Sequence, residues 1–505
     1  MVARPVLAAL LLCSVSPSLR AEDWTSFRGP AGNGQLLAHV PDGWSSEQHL
    51  AWAVEIPGTG WSQPVTLGGK IYLTTAITEN QQKPKPFQFG GGPGGGFGPG
   101  FGPGGPAGPP PREGQPGPRG DRPARPEGAP PRDGERPQGD APRRPGGRGP
   151  GGGFPGGFGR TPEPPDAVYQ WKVLCLDGRT GQVLWEQLAK EGKPTIATQS
   201  ANTYASETPV VDGQRLYAYF GMTGVFCFDL SGKPLWSQDL GSYPMMMGWG
   251  TGSSPVLHGD HLFIQCDNDK SSFLVALNKL TGEEAWRVPR DERTGWSTPY
   301  VWKNKARTEL VTAGINKVRS YDPDNGELLW ELGGMRGQSA ATPVGDEELL
   351  YVGTSGGMAG AGPLAAVKAG ATGDISPADG ESTSPGLAWL VERAGPSMAS
   401  PLLYRGCLYV LDQRGGTLSC YDAQTGERHF RERLPDAKGF TSSPWAAGGK
   451  VYCLDEDGRT FVLEPGTSLN VLATNKLDDM FWSSVSVVGE NLLLRGVNKL
   501  YCIAK

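Results

Sequence analysis

The sequence predicts an all-β protein, an eight-bladed β-propeller of four-stranded antiparallel blades, and three observations predict it. The first is a recurring phrase in which an apolar strand ends in Asp or Asn, a turn closes on Gly, and an aromatic residue follows. It runs Asp177–Gly181–Trp185, Asp229–Gly232–Trp236, Asn278–Gly282–Trp286, Asp322–Gly326–Trp330 and Asp422–Gly426–Phe430. The second is a Ser/Thr-Pro or Ser-x-Pro step in phase with it, at Pro64, Pro209, Pro255, Pro299, Pro343, Pro401 and Pro444, with Ser484-Val485 as a degenerate eighth. The third is the alternating apolar run between the two markers, such as Leu216–Phe220 or Val451–Leu454, bounded by Gly, Asp or Asn, with no sustained helical spacing anywhere. Four short strands in about 40 to 50 residues is the stride of a propeller blade.

Taken in order, residues 1–21 have the form of a secretory leader: Arg4, an apolar stretch from Val6 to about Val15, then Leu19-Arg-Ala21 before Glu22. The stretch is too short to span a bilayer, so the mature chain is expected to be exported, to the periplasm or the cell exterior. Cys13 invites lipidation, but Leu12 stands where a small residue is needed. Residues 22–80 hold an N-terminal segment, a closing strand and the start of blade 1. Leu50–Ile56 reads as an outer strand with its Trp52, yet it precedes the first inner strand, while the last unit stops after its third strand at Leu500–Ile503. Pairing the two completes blade 8 and leaves no open seam.

The first unit is swollen by an insertion, residues 81–165, with 27 Gly and 23 Pro among 85 residues. With so little to bury it is expected to be disordered, partly polyproline II, joining strands b and c of blade 1. It carries twelve Lys and Arg against seven Asp and Glu, whereas the whole chain is −5. A basic arm on an acidic ring could meet an anionic surface, a polysaccharide or a protein, and is equally readable as a tolerated loop expansion. Residues 166–505 supply the rest of the propeller. One interval there is long, and its Gly, Ala and Ser-rich stretch at 353–386 is expected to be a flexible loop between strands b and d of blade 5.

Seven cysteines follow the leader. Cys175, Cys227, Cys420 and Cys502 share the strand c position, and Cys266, Cys407 and Cys453 lie in or beside strands b, a registration expected of small core fillers, with disulfides left open. The acidic folded part and the leader argue against nucleic acid. No later segment is long and apolar enough to cross a bilayer, and a monomer is expected.

The Asp-x-x-Thr-Gly-x-x-x-Trp units resemble the tryptophan-docking repeats of the pyrroloquinoline quinone (PQQ) propeller superfamily. The opening Asp23-Trp24-Thr-Ser-Phe27-Arg28-Gly29-Pro30-Ala-Gly32-Asn-Gly34, followed by Trp61-Ser62-Gln-Pro64-Val65, resembles a bacterial branch of PQQ-binding-like repeat proteins. The resemblance covers nearly all of the mature chain outside the insertion. It implies that Trp52, Trp185, Trp236, Trp286 and Trp330 are structural, each indole packing on the peptide plane of a neighbouring blade's turn.

Propeller ligands generally sit over the central channel, on the face of the d-to-a and b-to-c loops. Trp61, Trp296 and Trp482 open their inner strands in equivalent places, and Trp249 is close to register, so these four are the candidates to stack a flat ring or a sugar. Packing between blades is the plainer reading of the same residues. Glu207, beside Thr208-Pro209, would line the channel as a desolvated acid. Asp267, Asp269, Asp455 and Asp457, in b-to-c turns, are donors of the kind calcium takes, although hairpin turns use the same residues.

The PQQ-dependent alcohol and glucose dehydrogenases that share the repeat carry an adjacent Cys pair over the quinone and an Asp base beside calcium. This chain has no adjacent cysteines, no zinc-ligand spacing and no phosphate-binding or nucleophile motif in context. No catalytic residue is assigned and no cofactor is expected. The reading is a non-catalytic binding or scaffold propeller, similar in architecture to the BamB-type propeller of barrel assembly, with a protein or cell-envelope partner. The alternatives are a divergent quinoprotein dehydrogenase with PQQ and calcium at the channel mouth, and a carbohydrate-binding propeller.

Overall fold

The computed structural model describes residues 23–36, 39–85, 162–357 and 360–505. The leader with Cys13, and residues 86–161 of the insertion, lie outside them. The described chain is an eight-bladed β-propeller, each blade an antiparallel sheet of strands a to d from the channel outward. Blade 1 is Val65–Leu67, Lys70–Ile77, Tyr169–Asp177 and Val183–Gly192. Blade 2 is Val210–Val211, Arg215–Tyr219, Val225–Asp229 and Pro234–Gln238. Blade 3 is Val256–His258, His261–Cys266, Ser272–Asn278 and Glu284–Arg290. Blade 4 is Tyr300–Lys303, Thr308–Ala313, Val318–Tyr321 and Leu328–Leu332. Blade 5 is Val344–Gly345, Leu349–Ser355, Ala361–Lys368 and Leu387–Val391. Blade 6 is Leu402–Tyr404, Cys407–Leu411, Thr417–Asp422 and Arg428–Arg433. Blade 7 is Trp445–Ala447, Lys450–Leu454, Arg459–Leu463 and Val471–Lys476.

Blade 8 takes Ser486–Val488, Asn491–Arg495 and Lys499–Ile503 from the C-terminal unit and its outer strand, Leu50–Glu55, from the N-terminal segment. Trp52 pairs with Cys502 and Val54 with Leu500, so the ring closes with the two ends of the chain in one sheet. Strands b and c are buried on both faces because each blade is sandwiched by its neighbours, which is why they read as nearly continuous apolar runs. Outer strands such as Val183–Gly192 alternate between half-buried and exposed positions.

The blades are pinned together at their outer turns. The indoles of Trp52, Trp185, Trp236 and Trp286 lie against Gly181, Gly232, Gly282 and Gly326, so close that a Cβ on any of these glycines would sit 2.5–2.9 Å from a ring atom. Trp236 Nε1 also donates to Lys279 O at 3.1 Å, and Trp52 Nε1 to Gly178 O at 3.3 Å.

Trp330 corrects the expectation. It is fully buried and donates to Glu309 Oε2 at 2.6 Å inside its own blade instead of docking on blade 5. The cause lies in the long unit. Its 353–386 stretch is not one flexible loop but contributes strand c, Ala361–Lys368, and then a strap whose Gly373–Asp374 pairs in parallel with Trp330–Glu331 at the outer edge of blade 4. Ile375 N–H donates to Glu331 O at 2.9 Å, and Ile375 and Ala371 bury themselves beside Trp330. The docking indole of blade 5 is Trp389, against Gly426 and bonded to Ala423 O at 3.1 Å.

Candidate functional site

The Ser/Thr-Pro steps form a belt around the channel. The amide of the residue before each proline donates to the hydroxyl at the same position in the next blade: Gln63 to Thr208 at 3.0 Å, Thr208 to Ser254 at 2.9 Å, Ser254 to Thr298 at 3.0 Å. It resumes with Thr342 to Ser400 at 2.9 Å, Ser400 to Ser443 at 3.0 Å and Ser443 to Ser484 at 3.0 Å. At the six links a hydroxyl accepts from a neighbouring blade's otherwise orphaned edge amide without adding bulk at the crowded axis.

Just before the belt, at the channel mouth, the four candidate tryptophans come together as two pairs. Trp61 and Trp482 stack across the closure of blades 1 and 8 with ring centroids 5.8 Å apart and planes at 28°. Trp249 and Trp296 face each other at 5.7 Å and 30°. The first pair is buried, and the second is half-buried. One loop, the run from Ala201 to Glu207 into blade 2, ties the pairs together. Trp61 Nε1 donates to Ala201 O at 2.8 Å, and Asn202 Nδ2 donates to Trp249 O at 2.8 Å and Thr251 O at 3.1 Å. Ser206 Oγ fixes Asn202 through its Oδ1 at 2.6 Å.

Glu207 ends this loop, buried, with Oε1 lacking a hydrogen-bond partner among the described residues. Its ring position is occupied by Ser62, Ser253, Ser297, Ala341, Ala399, Ser442 and Ser483 in the other blades. Desolvation pushes its pKa up to about 7, opposed by a hydrogen bond from Thr251.

The four aspartates named as calcium donors are engaged elsewhere. Asp267 holds Arg290 through both oxygens, at 2.8 and 3.0 Å, wholly buried, with Arg290 also reaching Thr312 and Tyr321. Asp269 accepts from Thr294 Oγ1 at 3.0 Å. Asp455 caps its hairpin through Arg459 N–H at 2.7 Å, and Asp457 faces Arg459 Nη1 at 3.3 Å. Among the described residues no group of three or more His, Cys, Asp or Glu stands together as a metal cage.

The opposite end of the channel is crossed by residues 23–36. Trp24 exchanges two hydrogen bonds with Thr66 of blade 1, at 2.8 Å each, and Thr25 O accepts Val211 N–H of blade 2 at 2.9 Å. Gln35 Nε2 reaches Leu403 O of blade 6 at 2.8 Å, and Gly34 and Leu36 bracket Ala446 of blade 7 at 3.0 and 2.8 Å. The segment thus satisfies the open edges of inner strands. Arg28, within this segment, is buried, donating to Gln63 Oε1 from its backbone and to Pro401 O at 2.7 Å from Nη2. It meets no carboxylate among the described residues, and burial lowers its pKa to about 10, so it stays charged near neutrality. The opening residues carried a family resemblance in the sequence but no role across the channel, and the Asn202 bridge and Trp389 were not singled out. Trp389 could have been, since its distance from Trp330 matches the long Pro343 to Pro401 interval.

These residues do not fit PQQ as a quinone sandwich. A flat ring between two indoles needs their faces about 7 Å apart, twice a van der Waals contact, whereas each pair is already closed on itself.

The family described as outer membrane protein assembly factor BamB matches residues 169–375 and 375–472. Quinoprotein alcohol dehydrogenase PedH of Pseudomonas putida is 29% identical over 166 residues, 30% of this chain and 27% of that protein, so the similarity spans about a quarter of the relative's length. BamB from Moraxella catarrhalis aligns with a TM-score of 0.45 at 13% identity, covering 66% of this chain and 91% of that one. The computationally designed Ika8 protein aligns at 0.46 and 11%, covering 69% and 95%.

Proposed function

Because this chain belongs to the family of the outer membrane protein assembly factor BamB, we propose that it is an exported, non-catalytic binding or scaffold propeller whose partner is a protein or another cell-envelope component. The observation that carries this reading is the occupied channel. One end is crossed by residues 23–36, the mouth indoles are packed on each other, and the acidic turns are spent on Arg290, Thr294 and Arg459. What remains for recognition is the surface, as function resides in sites set on a fold and not in the fold itself.

The competing reading, a divergent quinoprotein dehydrogenase, draws on the local similarity to PedH. Calorimetric titration of the protein lacking residues 1–21 with PQQ, with and without calcium, separates the two. No saturable heat, together with a protein recovered specifically from envelope extract, supports the scaffold. One-site binding weakened by Trp296→Ala or Trp482→Ala overturns it.

A further inference from the structure

Two blade junctions on the mouth side can be compared position by position. Between blades 3 and 4 the loop after strand d carries Asp291 and Glu292, and both accept from Arg319 on strand c of blade 4, Glu292 Oε1 from its Nη1 at 2.7 Å. Glu331, paired with Arg319 on strand d, accepts from its Nε at 3.3 Å. Counted from the belt prolines and from the Asp-turn-Gly phrase, the junction of blades 5 and 6 has Arg393 in the place of Asp291, Ala394 for Glu292, Ser419 for Arg319 and Arg431 for Glu331. Two of the three acids have become arginines, the third an alanine, and the guanidinium among them a hydroxyl.

The loss of bulk leaves an open cleft of about 310 Å³, lined by Arg393, Ser397, Asp412, Ser419, Tyr421 and Arg431. Its one acid, Asp412, accepts from Arg414 N–H at 3.2 Å and from Ser397 Oγ at 3.3 Å, and its Oδ2 stands 3.6 Å from Arg431 Nη2, beyond hydrogen-bond reach. Arg393 is exposed and makes no hydrogen bond or ion pair among the described residues. Two guanidiniums thus share one carboxylate that is already engaged. We propose that this cleft docks an acidic segment of a protein partner, taking one Glu or Asp carboxylate between Arg393 and Arg431 with Ser419 at its floor. The planar fork of a guanidinium matches a carboxylate, and such charge-assisted bonds are the strongest the cleft can make. On a chain of net charge −5, a cleft with surplus positive charge also fixes where an acidic segment lands. The inference rests on the scaffold reading and gives it a point of contact.

Fluorescence anisotropy of a labelled Gly-Glu-Gly-Glu-Gly peptide, titrated with the full chain beside its Gln-for-Glu counterpart, tests this. The expected result is saturable binding of the Glu peptide alone, weakened about tenfold by Arg393→Glu and by Arg431→Glu. Ser419→Leu, which fills the cleft without touching its charge, should weaken it as well, while Arg287→Glu on blade 3 should not. Both arginines are exposed, so their variants keep the fold, which an unchanged melting temperature checks. No binding, equal binding of the two peptides, or binding indifferent to Arg393 and Arg431 overturns the proposal. So does displacement of the peptide by inorganic phosphate or glucuronate at concentrations where acetate has no effect. PQQ binding would overturn the scaffold reading without altering the anisotropy, and a silent peptide would leave that reading in place, so the two failures are distinguishable.

Discussion

Thr298 Oγ1 accepts the amide of Ser254 at 3.0 Å, joining blade 3 to blade 4 around the channel. Thr342, at the same position in blade 5, has a buried hydroxyl with no partner among the described residues. The pair is a controlled comparison within one molecule. Thr298→Val should leave a buried N–H unpaired and cost about 1–3 kcal/mol, while Thr342→Val should be close to neutral. Chemical denaturation of both variants reads the difference directly.

The docking turns give a second comparison. Gly282 has φ +79° and lies against Trp236, so Gly282→Ala meets left-handed strain of about 1–2 kcal/mol in addition to a ring atom 2.5 Å from the new Cβ. Gly466, in the equivalent region of blade 7, has open space around it. Gly466→Ala should leave stability unchanged or raise it by roughly 0.5 kcal/mol through the unfolded state. Melting temperatures in the opposite order would mean the indoles do not pin the blades.

Stability should depend on pH through Glu207. Its folded pKa of about 7 lies above the ordinary 4.5, so between those values the folded state holds a proton that the unfolded chain has released. Stability therefore falls as pH rises through that window and is flat above it. Glu207→Gln should be nearly neutral at pH 5 and stabilising by roughly 2–3 kcal/mol at pH 8. Denaturation midpoints of the two proteins at both pH values decide it.

Asp267 is the clearest case of an acid whose work is structural. Asp267→Ala strands Arg290 in a buried site and should cost about 3–5 kcal/mol. Calcium or a chelator should shift the melting temperature of neither the variant nor the parent. A calcium-dependent rise confined to the parent would return Asp267 to the list of metal ligands.

What could be read from the chain was whatever repeats locally. The Asp-turn-Gly-Trp phrase marks blade count and strand order because each turn needs Gly at positive φ and each indole needs that Gly. The Ser/Thr-Pro steps marked register, but their use as a belt was hidden, since its links join residues at least 41 and as many as 145 positions apart and depend on ring geometry. Trp330 kept the phrase and lost the contact because a strap from the next unit covers the edge it would have occupied. At the mouth, sequence assembled Trp61, Trp249, Trp296 and Trp482 on one face. That Trp61 would face Trp482 follows from blades 1 and 8 becoming neighbours on closure, which no local pattern encodes.

The joining of Trp52 to Cys502 also sets a clock. The two residues are 450 positions apart, and the plug's contacts with Leu403 and Ala446 are nearly as distant. Such pairings come after the loop between them has been closed, so they form late and slowly. The outer strand Leu50–Glu55 therefore waits, unpaired, until Lys499–Ile503 exists. During that interval the nascent ring is open at one edge and unplugged at one end, and a chaperone or protease meets it in that form.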